Sequence, residues 1–461
     1  MNHILVSAST GAFVRNFLRG GFLDEARRTG LLLVFVVPPE KIDAYKKEFG
    51  AHGVSFEIAP RQDFSFLESL FKTLEKWSVH TRFMFLHHMF FLRRCSSQDA
   101  FSVRIILFAI RMLLWFLGQF RLFRAFVRLA YAALPASSVR EFLKTRQPTL
   151  VFCPAVLYGS EWQFIKEAKK LGIKTVGMLS SWDNFYSKTF LRTLPDYLLV
   201  QNELLKRQAV SFADYPEKQI RVVGAPQYDR HIMRMGVIGR NEFFRSIGAD
   251  PVKKLILYAF SGKISEAVDN EMLAVLHRIL TESGLAQEAQ VLVRPYPKRN
   301  FSPRKASWAR HTFGFLVEES STEIGAGRDK WEMDENALRF MANSIAHADI
   351  VITACSTFFV EATIFGVPLI GISFDGALKL DKWNSTRRFR TWEHIADLER
   401  TWGVWFVESE AELTKALQAY LSSRALHAEG RKCIIDEQLA GLGGKAAEAI
   451  AHSLKDILSV V

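Results

Sequence analysis

Short apolar runs alternate with amphipathic stretches along almost the whole chain. The runs at 4–7, 31–37, 54–58, 150–153, 174–179, 197–200 and 220–223 predict strands, and the stretches at 13–28 and 162–171 predict helices. The pattern then starts again: 254–260, 290–293, 350–353, 368–373 and 404–407 predict strands, with helices expected at 266–280, 336–346 and 411–421. Ser409-Glu410-Ala411-Glu412 has the spacing of a capping box and marks the start of the last of these. Unalternating apolar strands separated by helices imply parallel sheets covered on both faces.

The restart divides the chain. Gly224-Ala225-Pro226-Gln227-Tyr228-Asp229 ends a strand in turn chemistry, and Asp250-Pro251 precedes the next strand. The expectation is an α/β protein of two Rossmann-like, doubly wound domains facing a cleft, covering residues 1–228 and 229–461. The length of 461 residues fits two or three domains at roughly 150 residues each. A final helix is expected from about residue 444.

One region breaks the rhythm. A helical insertion over about 62–147 includes a stretch from Thr81 to Ala133 of aromatic and aliphatic runs punctuated by arginines. At ~100° per residue, Arg104 and Arg111 fall within about 20° of each other on a helix. Arg121, Arg124 and Arg128 cluster on another side. Arginines near the middle of a span cost about 2.5–3.5 kcal/mol each, which argues against a crossing. Two readings stay open: an apolar insertion whose basic stripes meet an anionic membrane surface, and a helical subdomain whose arginines are merely solvated.

Composition narrows the partners. The hydrophobic share of 49% excludes a mainly disordered or fibrous chain. The net charge of +12 favours an anionic partner. Cys95, Cys153, Cys355 and Cys433 are far apart and form no CxxC, so neither a disulfide framework nor a zinc site is expected. The opening residues predict a strand rather than a signal peptide. A cytoplasmic location is expected, with peripheral attachment to the inner face of the cytoplasmic membrane if the insertion touches lipid.

The candidate chemistry of the second half centres on Cys355-Ser356-Thr357-Phe358-Phe359-Val360-Glu361-Ala362, running on to Gly366-Val367-Pro368. A strand ends just before Ser356-Thr357, which open a helix, so hydroxyls and free N–H groups converge where an anion would be held. Glu361, further along, suits ribose hydroxyls. The same residues also fit plain helix capping. The set Ser-Thr-x-x-x-Glu-Ala…Gly-x-Pro resembles nucleotide-sugar glycosyltransferases of the GT-B fold. It is similar, too, to sugar-nucleotide 2-epimerases and CDP-glycerol-type phosphotransferases. The resemblance implies that Ser356 and Thr357 hold the donor diphosphate and Glu361 the ribose. In similar proteins Arg294-Pro295-Tyr296-Pro297-Lys298 often carries histidine where Tyr296 stands, leaving Arg294 and Lys298 as positive charge for the donor. Ser261-Gly262-Lys263 would form the turn against the nucleotide, with close backbone approach at Gly262.

The first half should carry the acceptor and the base. Gly11, Arg15 and Asn16 follow the first strand and would meet the acceptor, although the spacing is not G-x-G-x-x-G. Ser180-Ser181-Trp182-Asp183-Asn184-Phe185-Tyr186-Ser187-Lys188 follows another strand, where parallel sheets place their sites. Similar segments occur in bacterial GT-B-like proteins of surface polysaccharide loci. Asp183 is the expected general base and Glu161 its reserve, with Trp182, Asn184 and Lys188 at the acceptor. Asp183 also fits a helix cap. His87 and His88 are expected to pack or to lie at the surface rather than catalyse. No metal site and no cofactor are expected. The loop Trp383–Arg390 is basic and aromatic and suits an acceptor or headgroup; no nucleic-acid module surrounds it.

The expected activity is metal-independent transfer of a sugar from a nucleotide-diphosphate sugar to a cell-surface glycan or lipid-linked acceptor. The alternatives are polyol-phosphate transfer of the CDP-glycerol type, sugar-nucleotide 2-epimerisation, and a non-catalytic glycan-binding subunit.

Overall fold

A computed structural model of the chain describes residues 3–8, 11–61, 65–93, 101–157, 161–296, 303–318 and 332–459. It divides into two compact units. The first contains residues up to Asp229 together with Leu439–Val461; the second lies between Arg230 and Gln438.

In the first unit, among the described residues, seven strands form a parallel sheet. They are β1 (Ile4–Ser7), β2 (Leu33–Val37), β3 (Ser55–Ile58), β4 (Leu150–Cys153), β5 (Lys174–Met178), β6 (Tyr197–Val200) and β7 (Ile220–Val222). Their order is β3-β2-β1-β4-β5-β6-β7. Both faces are covered, which is why the central strands are apolar on both sides: Ile4, Leu5 and Val6 are all fully buried, as are Leu150, Val151 and Phe152. The stretch expected as one helix over 13–28 is two, Val14–Leu18 and Phe22–Thr29, separated at Gly20-Gly21.

The final helix, Ala446–Ser459, packs its Ile450, Leu454 and Ile457 into the core of this first unit. The expected boundary at 228/229 left that helix with the second half. Asp229 explains the return: its carboxylate accepts from the N–H groups of Ala446 and Ala447 at 3.1 and 2.8 Å. Those donors have no partner inside their own helix. Burial pushes the Asp229 carboxyl up to about 6, against the pull of the two N–H groups.

The second unit repeats the plan with β8 (Lys254–Ala259), β9 (Ala289–Arg294), β10 (Leu316–Val317), β11 (Ile350–Thr353), β12 (Leu369–Ile372) and β13 (Trp405–Val407). The order is β10-β9-β8-β11-β12-β13, again parallel. β10, two residues long, carries no periodicity and is absent from the pattern read along the chain. Ser409 caps the helix Glu410–Ser422 as expected, its Oγ accepting from Glu412 N at 3.2 Å, but the Glu412 carboxylate reaches one residue further back and takes the N–H of Glu408 at 2.7 Å.

The insertion between β3 and β4 is helical: Phe66–Trp77, Arg82–Arg93, Phe101–Leu117 and Arg121–Ala133. Its arginines do not form outward stripes. Arg124 is buried and forms a bidentate pair with Asp214 at 2.6 and 2.8 Å, joined by Arg128 at 3.4 Å. Burial works against the charge on Asp214, but hydrogen bonds and attraction from Arg124 and Arg128 hold its carboxyl below the usual value. Arg111 sits between the rings of Trp77 and Phe91. His88 is buried against the Trp77 carbonyl at 3.2 Å, and burial pulls it down to about 4, so it is neutral near pH 7. His87 is exposed.

Candidate functional site

Each sheet reverses its winding once, between β1 and β4 and between β8 and β11. At such a point the loops leaving the two strands diverge to opposite faces, and a crevice opens at the carboxyl ends.

In the second unit the loops after β8 and β11 are tied across that reversal. Ser261 is buried; its Oγ donates to the Cys355 carbonyl at 2.9 Å and accepts from Lys263 N at 3.3 Å. Gly262 faces Tyr296, and a Cβ there would lie 2.5 Å from the tyrosine Cζ. The residue standing where similar proteins often have histidine therefore packs a ring onto the turn, and a side chain at 262 would have to displace that ring. Ser356 Oγ accepts from Phe358 N at 3.2 Å, so its hydroxyl serves the local cap, whereas Thr357 is exposed. Glu361 is buried in the following helix, Phe358–Ile364.

Two cations stand beside these loops. Lys263 is exposed, its Nζ 5.8 Å from the Trp392 ring centroid. Arg388 donates to the carbonyls of Trp383 and Lys263, the latter at 2.9 Å. Neither has a carboxylate within ion-pair distance among the described residues. Arg388 brings the basic, aromatic loop Trp383–Arg390 onto the β8 turn, a juxtaposition that spacing along the chain does not reveal. The hydroxyls of Thr353, ending β11, and Ser373, just past β12, are buried without a hydrogen-bond partner among the described residues. Unpartnered buried hydroxyls are uncommon. The signal that could have found them is a hydroxyl residue closing an apolar strand.

Arg294 departs from its expected role. It is buried in an ion pair with Glu318, whose carboxyl burial raises and Arg294 lowers, so its charge is already matched. Lys298 lies outside the described residues.

In the first unit, Arg15 is half-buried after β1, with Nε donating to the Asn16 side chain at 2.9 Å and no acidic partner among the described residues. Asn16 is buried. Gly11 opens the short helix Gly11–Phe13 beside them. After β5, Asn184 is fully buried, and its side-chain oxygen accepts from the N–H groups of Ser180 and Ser181 at 3.2 and 3.0 Å. It shapes the loop and is not available to an acceptor, which corrects its expected role; Trp182 is likewise buried. Asp183 stays near the surface, paired with Lys188 Nζ at 3.2 Å and accepting from Ser187 Oγ at 3.3 Å. It precedes the helix Asn184–Ser187 without a side-chain capping bond. Glu161, the expected reserve base, is turned inward: it is buried and accepts from Ala155 N at 2.9 Å, closing the loop after β4. Among the described residues no group of three or more His, Cys, Asp or Glu side chains could hold a metal ion.

No protein-family model matches the chain, and no curated protein matches it in sequence. Solved structures match over its whole length. The UDP-GlcNAc 2-epimerase from Neisseria meningitidis bound to UDP-GlcNAc has a TM-score of 0.56 at 9% identity, covering 99% of this chain and 100% of that one. A glycosyltransferase from Rickettsia africae gives 0.51 at 11% identity, covering 99% and 98%. The calicheamicin glycosyltransferase gives 0.51 at 13%, covering 100% and 99%. The chain has the GT-B fold, the α/β architecture of two Rossmann-like units.

Proposed function

We propose that the chain is a nucleotide-sugar enzyme. Its second unit holds the donor diphosphate, and the sugar passes to a glycan or lipid-linked acceptor. The observation that carries this reading is the tied pair of loops at the β8/β11 reversal, with Lys263 and Arg388 beside them and neither in an ion pair among the described residues. In the reaction the acceptor oxygen bonds to the anomeric carbon, whose bond to the diphosphate oxygen breaks. Asp183 takes the acceptor proton, and the two cations with nearby backbone N–H groups stabilise the departing charge. A single displacement from the face opposite the diphosphate, with Asp183 as the base, would invert that carbon.

The test is thermal unfolding with UDP, CDP, GDP and their sugar conjugates. A ligand at ~100 times its dissociation constant adds about 2.7 kcal/mol. Selective stabilisation that is lost in Lys263→Ala/Thr357→Ala supports the donor site. Asp183→Asn should keep that stabilisation and lower turnover at least ~100-fold; near-normal turnover would reject the base. A CDP-selective response would move the reading to polyol-phosphate transfer, and no response to any nucleotide would favour a non-catalytic subunit.

A 2-epimerase is the second reading: structures described as UDP-GlcNAc 2-epimerases match over the whole chain with TM-scores of 0.51 to 0.56, beside 0.51 for the two glycosyltransferases. The two separate cleanly. An epimerase changes a nucleotide sugar with no acceptor present, whereas a transferase leaves it intact.

A further inference from the structure

The helices Phe101–Leu117 and Arg121–Ala133 turn all but one of their arginines inward; Arg121 stays exposed, paired with Asp214 at 3.1 Å. Between Phe101 and Ala133 the chain has five arginines and no acidic residue. Arg104 and Arg124 are buried, Arg111 stacks between two rings, and Arg128 bonds to Asp214 and to the carbonyls of Phe190, Leu191 and Ala213. Apart from Arg121, what the pair presents outward is mainly apolar: Leu122 is 86% exposed, Leu129 73%, Phe101 71% and Ile106 59%, with Ile110 and Leu113 beside them in the sequence. A water-facing helix has the opposite arrangement. Soluble surfaces seldom leave a contiguous apolar patch of more than a few hundred Å² without a partner for it.

The pair cannot cross a bilayer as one straight span. Phe101–Leu117 has 17 residues, about 25 Å at 1.5 Å each against a hydrocarbon core of about 30 Å. The two helices together have the length and apolar composition of a span, but they meet at 106°. Gly118 makes the bend: a Cβ there would lie 1.8 Å from the Ser78 carbonyl oxygen.

We propose that this bent pair lies in one leaflet of a bilayer containing anionic phospholipid, its apolar face sunk to the headgroup–acyl boundary. Two observations favour lipid over a protein partner. From Val103 to Leu117 every side chain apart from the inward Arg104 and Arg111 is apolar, and Trp115 spends its indole N–H on the Thr81 carbonyl at 3.0 Å. Protein interfaces carry about one hydrogen bond per 100–200 Å², and the outward side chains of this segment supply none. Exposed cations mark helix ends, Arg82 and Arg93 on the neighbouring Arg82–Arg93 and, partly matched by Asp214 at 3.1 Å, Arg121 on the second helix, which is complementary to anionic headgroups. The insertion is also fixed to the loop that carries Asp183, because Thr81 Oγ1 donates to the Tyr186 carbonyl at 2.6 Å. Docking on lipid would thus hold that loop near the membrane surface.

The experiment is flotation of the full chain with two kinds of vesicle, pure phosphatidylcholine and phosphatidylcholine with about a quarter phosphatidylglycerol. No nucleotide is added, so the result is independent of the catalytic reading. The wild type should float with both and more strongly with the anionic vesicles, and raising salt from about 0.1 to about 1 M should remove only the difference between them. Ile106→Glu/Leu113→Glu/Leu122→Glu replaces three exposed side chains and should lower vesicle partition at least ~100-fold. Val252→Glu, at a 90% exposed site in the second unit, should float like the wild type and controls for added charge. Hydrogen exchange with vesicles present should slow across residues 101–133. Failure of the wild type to float, flotation of the triple variant at the wild-type level, or a concentration-dependent dimer lost in the triple variant without flotation would each overturn the proposal.

Discussion

Replacing Ser261 with alanine tests whether the loops after β8 and β11 are held together as described. Its hydroxyl is buried and is the donor to the Cys355 carbonyl, with Cys355 itself buried. Alanine fills almost the same space but leaves that carbonyl unmatched, at a cost of about 1–3 kcal/mol. The Lys263 N–H loses only a long 3.3 Å contact on a turn next to solvent and adds little. In a unit of this size, 1 kcal/mol moves the midpoint by about 2–4 °C, so Ser261→Ala should lower the melting transition of the second unit by roughly 2–12 °C. Thr357→Ala makes the complementary case. Its side chain is exposed and caps nothing, so stability should stay within about 0.5 kcal/mol of the wild type. Its loss should nevertheless weaken nucleotide binding about 10- to 100-fold, the worth of a hydrogen bond to a charged group. Calorimetric melting with and without nucleotide reads both quantities. Wild-type stability in Ser261→Ala would mean that the loops are not tied. Full affinity in Thr357→Ala would detach this loop from the ligand.

Two further outcomes follow from single contacts. Gly262→Ala should cost about 1–3 kcal/mol, because its Cβ would displace the Tyr296 ring. In a Tyr296→Ala background that cost should nearly vanish, and urea unfolding that gives the same cost in both backgrounds would remove the ring from the turn. Asp229 sets a pH dependence. Its carboxyl rises from 3.8 to about 6 on folding, so the folded chain binds the proton more tightly than the unfolded one. Stability should therefore fall by up to about 3 kcal/mol as pH rises from about 4 to about 6, and be flat above that. Asp229→Asn should lack this slope, and a stability difference between the two proteins that stays constant over that range would contradict the assignment.

The sheets were legible in the sequence because a parallel strand covered on both faces must be apolar throughout, and such runs stand out in length and composition. β10 was not, since two residues make no pattern. The loops at the reversals were legible as sites for the same topological reason, but the duties of individual side chains were not. Asn184 and Asp183 are neighbours of similar polarity; one is spent on the N–H groups of Ser180 and Ser181, and the other keeps a carboxylate near solvent. Arg294 looked like a phosphate ligand until Glu318, 24 residues away, took up its charge. Arg388 gained importance only when its loop folded back onto Lys263, 125 residues earlier. Each of these outcomes depends on a partner remote in the chain.

The insertion shows the same limit in its strongest form, and there the correction changes the physics. Spacing alone establishes that arginines share a side of a helix; it does not establish which side faces the protein. Asp214, in left-handed conformation just past the helix Glu203–Ala213, supplies the largely shielded anion that turns Arg124 and Arg128 inward. Once those charges are internal, attraction between a basic stripe and anionic lipid can no longer be the main driving force. Burial of aliphatic and aromatic surface must take that place, at about 25 cal/mol for each Å² removed from water. The two forces respond to salt in opposite degrees. A stripe of arginines would release the protein as screening shortens to about 3 Å at 1 M, whereas an apolar face would not. Retention of the chain on zwitterionic vesicles in high salt is therefore the measurement that separates the structure's arrangement from the one suggested by charge spacing.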